Sequence, residues 1–126
     1  MRYFLLLTIS FTSLANNFNY VYLDCGEPTK EIEKQNLLIR IIRDTSAEIL
    51  DGNLYWYSPS SQFVTLDEYW ISPAGFSYFL SRSDLSLTVV INLGKSHKTT
   101  CSISDEESIE KEIENIKSEK KARQQI

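Results

Sequence analysis

From Phe18 to Cys101 apolar and aromatic residues recur at every second position, in short runs between turn signals. That period places alternate side chains on opposite faces of a strand, so the runs favour sheet over helix. Phe18-Asn19-Tyr20-Val21-Tyr22-Leu23 opens the series, and Leu37-Leu38-Ile39-Arg40-Ile41-Ile42-Arg43 reads as a strand with one face fully apolar. Asp51-Gly52 is a strong hairpin signal between Glu48-Ile49-Leu50 and Leu54-Tyr55-Trp56-Tyr57. Residues 58–61 form a second turn. Residues 62–71 alternate in two registers, one with Val64, Leu66 and Trp70, the other with Phe63, Tyr69 and Ile71. Ser72-Pro73-Ala74-Gly75 interrupts the chain before Phe76-Ser77-Tyr78-Phe79-Leu80. Residues 85–91 alternate cleanly, and residues 94–98 turn into a last strand around Thr99-Thr100-Cys101. The spacing predicts a mainly β fold, a small antiparallel barrel or sandwich of about seven or eight strands. Residues 29–33 read as a helical turn or a loop.

The N-terminus predicts export. Met1-Arg2 supplies a positive start and residues 3–14 are uncharged and mostly apolar. Ser13-Leu14-Ala15 then sets small residues at the positions a signal peptidase reads. A run of about a dozen apolar residues is short of the roughly 20 needed to span a bilayer. Residues 1–15 are therefore expected to be a signal peptide, and the mature chain to be secreted or periplasmic with no transmembrane segment.

Cysteine usage agrees with that compartment. Cys25 and Cys101 are the only two cysteines, and an even count in an exported chain favours a disulfide. Their spacing fits no CxxC pattern, and two cysteines with one histidine are too few for a usual zinc site, so no metal or other cofactor is expected. A lipid-bearing Cys25 would need a small residue before it, where Asp24 stands. A Cys25–Cys101 bridge would contribute about 4 kcal/mol in the chain-entropy model.

After Cys101 the composition changes. Ser104-Asp105-Glu106-Glu107 has the form of a capping box, acids crowd the start, and Lys117, Lys120, Lys121 and Arg123 crowd the end. Ile109, Ile113 and Ile116 form a narrow apolar stripe. This predicts an amphipathic, charged helix over residues 104–126. It either docks loosely on the β domain of residues 16–103 or mediates association with a partner.

Composition and motifs exclude several chemistries. With 126 residues and a net charge of −4, the chain is one domain in length and lacks the basic surface nucleic acid requires. Gly94-Lys95-Ser96 resembles the end of a phosphate loop, but Val89 stands where the required glycine belongs and the flanks read as strands. His97, the single histidine, sits in a polar turn without an orienting carboxylate. Asp67 and Glu68 are adjacent, so on a strand they point to opposite faces and cannot act as a glycosidase pair. No catalytic set is legible, and the chain is expected not to be an enzyme. The aromatics leave more room. Tyr55, Trp56 and Tyr57 lie on a strand that could neighbour the one carrying Trp70. Outward rings there would stack on sugars or receive a partner's side chain, whereas inward ones would form core and cross-strand pairs.

Tyr22-Leu23-Asp24-Cys25, the run from Phe76 to Leu87 and the late Thr100-Cys101 together resemble a group of small uncharacterised exported bacterial and phage-type all-β proteins. In these an early cysteine pairs with a late one, and a strand ends in arginine before a short turn. The resemblance implies architecture and a bridge but no activity, and it adds Arg82 to the candidate binding residues Tyr55, Trp56, Tyr57 and Trp70. The group's Arg-x-Thr-Gly turn is here Arg82-Ser83-Asp84-Leu85, without the glycine. Ser72-Pro73-Ala74-Gly75-Phe76-Ser77-Tyr78 is faintly similar to the serine-rich loop of periplasmic lysozyme inhibitors, minus its basic residue. The expected role is an exported non-enzymatic binding module for a protein or a small molecule. The alternatives are an envelope-associated protein acting through its helix, or an inhibitor of a wall-degrading enzyme. A wide apolar cavity would favour a small ligand, and a filled interior with an exposed aromatic patch a protein partner.

Overall fold

The computed structural model describes residues 19–27, 35–73, 75–92 and 95–124. The expected signal peptide and the stretch 29–33 lie outside the described residues. The chain forms ten strands and one helix among them. The strands are β1 (Tyr20–Asp24), β2 (Leu38–Ile42), β3 (Ser46–Leu50), β4 (Trp56–Tyr57), β5 (Ser61–Val64), β6 (Glu68–Ser72), β7 (Ser77–Ser81), β8 (Ser86–Asn92), β9 (Lys95–Thr100) and β10 (Ser102–Ser104), followed by α1 (Glu106–Arg123). They build two antiparallel five-stranded sheets, ordered β10-β1-β2-β3-β4 and β5-β6-β7-β8-β9. The fold is mainly β, as the alternation predicts.

The inner faces share one core. Leu23, Ile39, Ile41, Ala47 and Ile49 of the first sheet pack with Tyr69, Ile71, Tyr78, Leu80, Leu87 and Val89 of the second. The period-two pattern does this directly, because each strand contributes every second residue. A chain crossing closes the arrangement. After β9, at the edge of the second sheet, Cys101 leads into β10, which pairs with β1 in the first. Cys25 and Cys101 are bonded there, 76 residues apart in sequence, with both residues buried. The bridge thus reinforces a strand pair that is already hydrogen-bonded, Asp24 standing opposite Ser102.

Local chemistry corrects several boundaries. The strand count exceeds the expected seven or eight because residues 62–71 are two strands and Ser102–Ser104 form a further one beyond Cys101. The Thr65 hydroxyl accepts the backbone N–H of Asp67 and of Glu68, turning the chain where the two registers meet. The loop at Asp51 is longer than a two-residue Asp-Gly hairpin. Asp51 Oδ1 accepts from the N–H of Asn53 and of Tyr55, and the left-handed residue is Leu54, at φ 67°. Lys95, His97 and Lys98 lie on the edge strand β9, although the sequence predicts a turn over residues 94–98. Pairing with β8 over most of its length holds them extended. The helix cap is Asp105, one residue later than the expected Ser104. Its carboxylate accepts from Ser108 N at 2.7 Å, while Ser104 is held in β10 opposite Tyr22.

The largest departure concerns α1. The helix is not loosely attached. Ile109 packs with Leu38 and Leu50, all three buried, and Tyr22, Leu54, Trp56 and Ile113 close around them. Ile116 is buried as well. Leu38 and Leu50 point outward from the first sheet, so β2 and β3 carry apolar side chains on both faces, and the helix covers the outer pair. Lys120 Nζ donates to the Gly52 carbonyl, pinning the far end of the helix to the β3–β4 loop.

Candidate functional site

The five candidate binding residues do not converge. Residues 58–61 lead from one sheet to the other instead of returning as a hairpin, which separates β4 from β6. Trp56 belongs to the helix-covered face. It meets Tyr22 at 6.2 Å, and the Arg40 guanidinium sits 4.6 Å from its ring and 4.3 Å from that of Tyr20 while pairing with Glu48. These contacts close the polar half of that face, and burial pushes the Tyr22 hydroxyl above its ordinary pKa. Tyr57 points inward against the main core. Tyr55 stands at the end of the Asp51 loop, 72% exposed and isolated from the others.

Trp70 lies on the outer face of the second sheet, and register assembles a site around it. Phe63 stands opposite Trp70, Trp70 opposite Phe79, Phe79 opposite Thr88 and Thr88 opposite Lys98. The result is one row across all five strands. The Phe63 and Trp70 rings are 4.8 Å apart and inclined by 38°; Trp70 and Phe79 are 6.4 Å apart and inclined by 45°. Phe63 is 53% exposed. A second row parallels the first: Ser61 stands opposite Ser72, and Ser77 opposite Val90, which stands opposite Ser96. The Ser77 hydroxyl lies 3.3 Å from that of Ser72. On the other flank Glu68 stands opposite Ser81 and Ser86 opposite Thr100. Among the described residues no helix covers this face. Phe63 and Phe79 are absent from the candidates that sequence supplies: alternation through residues 62–71 groups Phe63 with Tyr69 and Ile71, and the turn at Thr65 reverses that, setting Phe63 opposite Trp70 and Val64 opposite Tyr69.

Arg82 occupies a different place. Its guanidinium pairs with Asp44 of the β2–β3 turn, donates to the Thr65 carbonyl of the β5–β6 turn at 2.7 Å, and lies 5.1 Å from the Tyr69 ring. The Asp44 hydrogen bond holds its pKa above the usual arginine value. Arg82 therefore ties three turns from two sheets together. In the turn that follows, Leu85 takes the left-handed conformation, at φ 62°. A bulky residue there carries strain of about 1–3 kcal/mol. It is offset by bonds from Leu85 N to Ser81 O and from Cys101 N to Leu85 O. Asp84 accepts from Ser86 N, which lowers its pKa below the ordinary carboxylate value.

Among the described residues no group of three His, Cys, Asp or Glu side chains is placed to hold a metal ion, and no helix is long and apolar enough to cross a membrane. No protein-family model, curated protein or solved structure matches this chain.

Proposed function

We propose that this chain is an exported, non-enzymatic binding module whose recognition surface is the outer face of the second sheet, and that the surface takes a neutral glycan. The disulfide supports export, since such bonds persist in oxidising compartments. We read the paired sheets as a sandwich, because β4 and β5 lie at the edges of separate sheets and share no backbone pairing.

The observation that carries the reading is the aromatic row Phe63–Trp70–Phe79 with hydroxyl-bearing rows on both sides. Aromatic faces stack on the C–H faces of sugar rings, and serine and threonine hydroxyls exchange hydrogen bonds with sugar hydroxyls. Protein interfaces share the aromatics but are depleted in serine, so the serine-rich flanks favour a glycan over the protein partner that a filled interior with an aromatic patch suggests by itself. Glu68 beside the row and Lys98 at its end cancel, which suits a neutral ligand. Ile109 and Ile113 of α1 pack against the first sheet and Ile116 is buried, which weakens the ground for a helix-mediated role.

An array of soluble neutral oligosaccharides tests this. The disulfide-bonded chain should bind a subset, and Trp70→Ala should abolish binding while the protein stays folded by circular dichroism. Failure to bind any member, or retention of binding by Trp70→Ala, would refute the glycan reading. Capture of a protein through the same face would replace it.

A further inference from the structure

The shared core is not sealed where the β2–β3, β5–β6 and β7–β8 turns come together. A cleft of about 280 Å³ opens between the sheets, walled by Val21, Leu23 and Ile41 on one side and by Leu80 and Leu85 on the other. Ile103, opposite Leu23 in β10, also lines it and is 69% exposed. Leu23, Ile41 and Leu80 are already buried, whereas Val21 and Leu85 are half-buried, so the apolar surface a ligand would gain by covering is that of Val21, Leu85 and Ile103 at the mouth.

Two cations face this apolar space. Arg43 and Arg82 both line the cleft. Arg82 is committed to Asp44, Thr65 and Tyr69. Arg43 continues the inward register of Ile39 and Ile41, and its guanidinium has no acceptor among the described residues. Asp67 lies on the far side of Arg82, in a pocket lined by Leu66, Ser81 and Ser83, so the charge that stands unpaired at the mouth is the exposed guanidinium of Arg43 alone. Asp84, in the neighbouring turn, is turned to Ser86 N. Both turns that flank the mouth also hold non-glycine residues in the left-handed region, Asp44 and Leu85, each at φ 62°. Strain of this kind concentrates at ligand sites, and at Leu85 it places an apolar side chain in the cleft wall.

We propose that the cleft binds a small single-chain amphipathic anion, its head group at Arg43 and its short apolar tail between Val21, Ile41, Leu85 and Ile103. The volume suits one short chain and is far too small for a two-chain lipid. This site is independent of the aromatic face, and its failure leaves that reading untouched.

The test uses the full disulfide-bonded chain, titrated with octanoate and with octan-1-ol and followed by amide NMR and calorimetry. Octanoate should bind saturably with one-to-one stoichiometry and shift the amides of Arg43, Leu85 and Ile103. Octan-1-ol should bind about tenfold more weakly, the worth of one charge-assisted hydrogen bond. Arg43→Ala should weaken octanoate by a similar factor and leave octan-1-ol unchanged. Ile103→Glu, at an exposed edge position, should abolish octanoate binding, so the proposal does not depend on one variant. Vesicles of anionic phospholipid should not displace octanoate. Equal binding of acid and alcohol, indifference to Arg43→Ala or Ile103→Glu, shifts confined to the aromatic face, or displacement by vesicles would each overturn it.

Discussion

The outer faces of the two sheets carry similar raw material and use it in opposite ways. The first presents Leu38, Leu50, Tyr22 and Trp56 outward and hides them under α1. The second presents Phe63, Trp70 and Phe79 outward and leaves them uncovered by any described helix. An apolar outer face needs a cover. The first sheet has its cover within the chain, and under the proposed function a bound glycan covers the second. The same residue types thus serve stability on one side and recognition on the other, and the position of a single helix decides which.

The strongest way to break this comparison is to remove the helix. Truncation after Ser104 deletes Ile109, Ile113 and Ile116 and uncovers Leu38 and Leu50. At about 1.5–3 kcal/mol for each buried side chain, the loss is comparable to the whole net stability of a domain, about 5–15 kcal/mol. The truncated chain should fail to fold, as read by far-UV circular dichroism. Removing the bridge by Cys101→Ala should cost less, about 2–5 kcal/mol in urea unfolding. A helix that docks loosely, as the sequence allows, would give the opposite order, with truncation costing less than loss of the bridge. A truncated domain that folds and keeps its urea midpoint would restore that order.

A milder test compares one residue from each face. Ile109→Ala leaves a cavity over Leu38 and Leu50 and should cost about 2–5 kcal/mol. Trp70→Ala removes two cross-strand aromatic pairs on a wet surface, each worth about 0.2–1 kcal/mol. Urea midpoints of the two variants should differ accordingly. Equal losses would mean that the second face is as structural as the first.

The smallest expected effect is electrostatic. Asp105 caps α1, and its bonds to Ser108 hold its pKa below the ordinary carboxylate value; Asp84 is lowered in the same sense by Ser86. A carboxylate whose pKa is lowered by folding stabilises the protein above its unfolded value, about 3.9, and loses that contribution as the pH falls toward the folded value. Stability should therefore drop below about pH 4, and Asp105→Asn, which keeps a cap but not a charge, should flatten part of the drop.

Sequence patterning carries the strands, the bridge and the amphipathic helix, because each is written in local period or in a residue count. It does not carry the comparison between the faces. Leu38 and Leu50 sit at outward positions of their strands, and alternation alone reads such residues as exposed. Only the helix packed on them explains the nearly unbroken apolar run from Leu37 to Ile42. The aromatic row is half legible: Trp70 stands out as a residue type, but Phe63 and Phe79 join it only through pairing register, which sequence leaves open. Grouping Tyr55, Trp56 and Tyr57 with Trp70 depends on residues 58–61 forming a hairpin. In the structure those residues connect two sheets.

The two tryptophans provide the most direct measurement, since one lies on each outer face. In Trp56→Phe, Trp70 is the sole indole reporter; in Trp70→Phe, Trp56 is. Titration with an oligosaccharide that binds the native chain should shift and saturate the emission of the Trp70 reporter. The Trp56 reporter should stay silent over the same concentrations. A saturable response from Trp56, with Trp70 silent, would place recognition on the helix-covered face and contradict the assignment of recognition to the second sheet.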